Sequence, residues 1–112
     1  MRSFWIRNPN YDDKAVATLT YDEETREYHI EVPEDVESRE LPLIIADLVD
    51  MGQRSIGPYW SLRWVQGRVV PPERQNIGEI LREHGMEYYD EFPLLVDGRG
   101  WCCQDECYLE EI

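Results

Sequence analysis

Between Glu27 and Val32 the side chains alternate without a break, Tyr28, Ile30 and Val32 to one face and Glu27, His29 and Glu31 to the other. A period of two belongs to an extended chain with one dry and one wet face. Such a strand is not stable alone in water, so the chain must supply both pairing partners and a cover for the apolar face. The partners precede it. Ser3 to Arg7 and Lys14 to Tyr21 are rich in β-branched and aromatic residues, and they are separated by turn chemistry at Asn8-Pro9-Asn10 and again at Asp22 to Thr25. The simplest assembly is a three-stranded antiparallel meander.

The cover follows it. Leu41, Ile44, Ile45, Leu48 and Val49 recur at helical spacing over 41 to 51, with Pro42 in the first turn and Gly52 as the stop. The acids Glu34, Asp35, Glu37 and Glu40 precede that helix, where its N-terminal dipole would stabilise them. A helical pair is expected over 58 to 84. Gly57-Pro58 starts the first helix and Gly67 ends it, Trp60 and Trp64 lie four apart on one face, and Leu62 and Val65 lie on another. Pro72 opens the second helix, in which Ile77, Ile80, Leu81 and His84 follow the apolar stripe to Gly85. Asp90 can cap a short helix through Val96, with a hairpin through Asp97-Gly98 as the competing reading. Glu106 to Ile112 is available as a further strand. The expected fold is therefore α+β, a single domain over 1–112 in which the meander packs against three to four short helices.

Charge is segregated along the chain. Residues 12 to 50 hold thirteen acids against three bases and residues 83 to 112 nine against one, whereas 54 to 82 hold five arginines against two glutamates. The net of −13 repels nucleic acid and anionic membrane at long range and attracts basic proteins or cations. Four tryptophans and seven tyrosines argue for a packed core rather than disorder. The opening residues lack a signal-peptide pattern, and no run approaches the ~18 apolar residues of a membrane span. Three cysteines without an export signal point to reduced thiols, and the chain reads as cytoplasmic.

Chemistry-bearing patterns are sparse. Cys102, Cys103 and Cys107 with His84 supply the residue types of a Cys3His zinc site, but adjacent cysteines diverge and the C-x2-C spacing is missing. A Cys103–Cys107 redox pair also lacks its usual motif. His29 falls on a wet strand face, and His84 at a helix end suits the C-terminal carbonyls. No nucleophile elbow or phosphate-cradling loop occurs, and the paired acids are only sequence neighbours. The expectation is a protein without catalysis, metal or cofactor.

Binding remains. For a protein partner the candidate residues are Glu34, Asp35, Glu37 and Glu40 with Trp60 and Trp64, because surplus carboxylates suit a basic groove and give fast, salt-sensitive association. Exposure of either tryptophan would favour a binding surface, and burial of both a scaffold. The alternative is a helix-turn-helix over 58–84 offering Arg63, Arg68, Arg74, Gln75 and Asn76 to nucleic acid. Against it stand the double-proline connection and the flanking acids.

Over residues 60 to 112, RWVQGRVVPPERQNIGEILREHGMEYYDEF followed by DGRGWCCQDECYLEEI resembles small proteins encoded in genomes and mobile elements of gut Firmicutes. The N-terminal sheet lies outside the match. No activity or site residue comes with this resemblance. It implies a setting in which accessory proteins and inhibitors of host defence are common.

Overall fold

The computed structural model covers residues 1–112 and places the meander where the alternation puts it. Strands β1 (Arg2–Asn8), β2 (Lys14–Asp22) and β3 (Glu27–Glu31) pair antiparallel in chain order. Two short strands extend the sheet at its edges, β4 (Ser55–Ile56) beside β3 and β5 (Tyr108–Glu111) beside β1. The order is β4-β3-β2-β1-β5, antiparallel throughout. The C-terminal strand thus joins the N-terminal sheet as expected. β4 was not expected, because two residues ahead of Gly57-Pro58 carry no periodicity to read.

Local chemistry fixes the turns. Asn8 accepts a hydrogen bond from the Asn10 N–H at 3.0 Å, and a 3-10 turn over Pro9–Tyr11 leads into Asp12 and Asp13, both left-handed. Asp22 accepts from the Glu24 N–H at 2.9 Å and shapes the β2–β3 turn. The pairing of β1 with β2 shifts between Ile6 and Arg7, which face Ala17 and Ala15. Val16 is the extra residue of this bulge, and Val16 and Ala17 are both buried as a result.

One face of the sheet forms the core. Phe4, Ile6, Leu19, Tyr28, Ile30 and Leu109 belong to one contiguous cluster, while Glu27, His29 and Glu31 are exposed. Three helices cover that cluster. Helix α1 (Ile45–Asp50) contributes Ile45 and Leu48, α2 (Pro58–Gln66) contributes Trp64 and Val65, and the last helix (Glu91–Asp97) contributes Phe92 and Leu95. The Ser61 hydroxyl donates to the Ile56 carbonyl at 3.1 Å and ties α2 to β4. Phe92 stacks on Tyr21 with ring centres 3.9 Å apart and meets Phe4 edge-on at 6.0 Å.

Two local expectations need correction. The helix foreseen over 41 to 51 begins only at Ile45, because Leu41 precedes a proline and is extended (φ −102°, ψ 151°). The second helix of the 58–84 pair is α3 (Ile77–Glu83). The segment after Pro71-Pro72 runs in turns first, with Arg74 N–H bonded to Pro71 C=O at 3.2 Å. The short helix expected behind an Asp90 cap does form, as α4 (Glu91–Asp97), with Asp90 accepting from the Phe92 N–H at 3.2 Å, and the competing hairpin through Asp97-Gly98 does not. No helix is long and apolar enough to cross a membrane.

Candidate functional site

The acidic run divides by depth. Glu34, Asp35 and Glu37 are exposed, but Glu40 is buried. Its carboxylate accepts from the Glu37 N–H at 2.8 Å and from Lys14 Nζ at 2.9 Å, which lock a 3-10 turn (Ser38–Glu40) against β2. The Glu37 N–H and then the Lys14 ammonium hold the Glu40 carboxyl below its ordinary value of 4.5. Glu40 therefore belongs to the scaffold rather than to an acidic docking face. The run also lies ahead of the turn at Leu41–Ile44, so it does not sit on the N-terminus of α1.

The basic set divides in the same way. Arg68 is buried, and its guanidinium donates to Gly100 C=O at 3.1 Å, to Cys107 C=O at 3.3 Å and to the Asp105 carboxylate. It lies over the Trp64 ring at 4.6 Å. Arg68 is a clamp on the C-terminal loop and cannot reach a nucleic acid. Arg63 is exposed with its guanidinium 5.9 Å from the centre of the Tyr59 ring. Arg74, Gln75 and Asn76 are exposed in the turns before α3, not on a recognition helix. The α2–α3 connection spans 67–76, far longer than a helix-turn-helix turn, and α3 buries none of its side chains fully.

The cysteines and histidines remain apart. Cys103 is exposed, Cys102 half-buried and Cys107 buried, and burial pushes the Cys107 thiol up to about 12. His84 Nδ1 bonds Asp97 at 2.8 Å at the end of α3. No group of three or more His, Cys, Asp or Glu side chains is arranged to hold a metal ion.

The two tryptophans have opposite fates. Trp64 packs into the core, at 4 % exposure, whereas Trp60 is 43 % exposed. A spacing of four places them about 40° apart around the helix, with Trp60 one turn nearer its N-terminus. There it lines a groove with α1 rather than the sheet. Ile44, Leu48, Met51 and Trp60 form the apolar lining of this groove, Asp47 and Gln53 complete it, and its volume is about 210 Å³. Met51 is 71 % exposed, and Tyr59, packed edge-on to Trp60 at 5.1 Å, is 63 % exposed. Hollows beside β5 and beside Asn8 are larger, about 320 and 400 Å³, but Arg99, Glu110 and Glu111 share the lining of the first and Arg39, Asp105 and Glu106 that of the second.

Trp60 is legible in the sequence as a binding candidate, whereas its neighbours in the groove are not. Ile44 and Leu48 read as sheet-facing positions, and only an unpaired Met51 just beyond the helix could have signalled a second apolar surface. No protein-family model, curated protein or solved structure matches this chain.

Proposed function

We propose that this chain is a non-catalytic binding module for another protein, with the α1–α2 groove as its apolar seat and the surrounding acids as its steering field. The observation that supports this reading is the exposure of Met51, Tyr59 and Trp60 around a groove on a chain of net charge −13. Large apolar side chains left in water on a strongly charged surface mark contact sites, where aromatic residues and Met are enriched. Glu34 and Asp35 are exposed and available to guide a basic partner to that seat, and Glu37 is exposed but paired with Arg39 at 2.7 Å. In the setting that the resemblance over 60–112 implies, such a module acts as an accessory or inhibitor of a host protein.

The nucleic-acid reading keeps Arg63, Arg74, Gln75 and Asn76 as exposed groups and loses Arg68 to the interior. One experiment tests both. The tagged chain and its Trp60→Ser variant are used to capture partners from host extract, with and without nuclease, and washed at low and high salt. Binding to a protein that survives nuclease, weakens in salt and is lost with Trp60→Ser is the expected outcome. Capture that depends on nucleic acid, or a protein partner indifferent to Trp60→Ser, overturns the proposal.

A further inference from the structure

We infer that the α1–α2 groove takes an amphipathic helix of the partner, anchored by large aliphatic or aromatic side chains and flanked by lysine or arginine. This inference rests on the protein-binding reading above and specifies what is bound.

The size of the groove excludes most of the alternatives. About 210 Å³ is below the ~300 Å³ at which small-molecule sites begin, so the groove suits one or two side chains of a larger partner. Asp47, Leu48 and Trp60 of its lining lie in α1 and α2, and Met51 and Gln53, just past α1, have their N–H groups bonded back to the Asp47 and Leu48 carbonyls. An extended peptide gains affinity from free main-chain groups at a sheet edge, and neither wall offers them. A helix needs only an apolar furrow, because it satisfies its own backbone and inserts side chains at i, i+3, i+4 and i+7.

Charge selects among helices. Asp47 is the one charged residue in the lining, Asp50 follows it on α1, and no lysine or arginine lines the groove. Arg54, just beyond Gln53, turns its guanidinium away to the Pro33 and Val36 carbonyls. Arg63 belongs to α2, over the Tyr59 ring that packs against Trp60, and does not line the groove. The α1 wall therefore presents carboxylate without a countercharge to whatever occupies the groove. A second copy of this chain fits poorly. A two-fold contact would set Asp47 and Asp50 near their own equivalents and join two molecules of net charge −13.

The test uses synthetic helices of about fifteen residues. One carries leucine at i, i+3, i+4 and i+7 with lysine flanks, a second has glutamate in place of lysine, and a third has serine in place of leucine. Binding is read from tryptophan emission, with Trp60→Phe to identify the signal and circular dichroism to check that each variant is folded. The expected result is saturable binding of the leucine–lysine helix alone, weakened about tenfold by Asp47→Lys. That variant should gain affinity for the glutamate-flanked helix.

Equal binding of the serine helix would reduce the contact to bulk charge and overturn the inference, as would equal binding of both flanks or no saturation at all. Concentration-dependent dimers that Met51→Glu returns to monomers would assign the groove to a second copy instead. Loss of the captured partner with Trp60→Ser while no helix binds would leave the protein-binding reading standing and remove only the helical ligand.

Discussion

Arg68 joins the C-terminal loop to the body of the protein through one planar group, which bonds two carbonyls and the Asp105 carboxylate while lying over Trp64. Removing one partner of a buried ion pair leaves the other without compensation, at a cost of about 3 kcal/mol or more. Arg68→Ala should lower stability by that amount in urea unfolding. Arg68→Lys should recover only part of it, since an ammonium cannot reproduce the fork or the stack. In the sequence this residue is a candidate for contacting nucleic acid, because a window of arginines reports charge and not depth. Glu40 misled for the same reason, being one acid among four. Its carboxyl is held below 4.5 in the folded chain, so its contribution is complete above that value and is lost as pH falls through the lower folded value. The stability advantage of the natural chain over Glu40→Gln should therefore be full at about pH 7 and shrink at about pH 3.

Where an element was legible, its residues answered to one constraint at a time. β3 could be read because its dry face meets only the core, and α4 because Asp90 caps it and Pro93 falls in its first turn. α1 is shorter than its apolar stripe and α3 starts five residues after Pro72, since Pro42 and Pro71-Pro72 impose turns that periodicity does not register. The groove between α1 and α2 was not legible. Helices from separate stretches create it, and Ile44 and Leu48 look the same in sequence whether they face the sheet or Trp60. The link from α4 to β5 depends on Gly100, left-handed at φ +69°, where an added Cβ would lie 2.9 Å from Leu109 Cγ. Gly100→Ala should cost about 1–3 kcal/mol through backbone strain and that clash. Amide exchange should quicken along the β1–β5 ladder before the β2–β3 ladder, and uniform exchange across the sheet would contradict this.

For the molecule as a whole, carboxylates outnumber cations 24 to 11. Self-repulsion of this kind opposes compaction and is screened within a Debye length, so added sodium chloride should raise the melting temperature. The exposed pairs Arg2–Glu111 and Arg7–Glu110 weaken at the same time, but such pairs contribute little. Binding to a basic partner should respond in the opposite direction, with stability rising and capture falling over the same salt range. A fall in both would mean that ion pairs dominate the fold. The sheet order has a mechanical side as well. β1 and β5 run antiparallel as neighbours, with Phe4 opposite Glu111 and Arg7 opposite Tyr108, so the two ends of the chain leave the sheet side by side. Tension between those ends pulls along the hydrogen bonds instead of across them. The protein should open like a zipper under a weak load, first at the Arg2–Glu111 pair and then rung by rung, until β5 peels away from the other four strands.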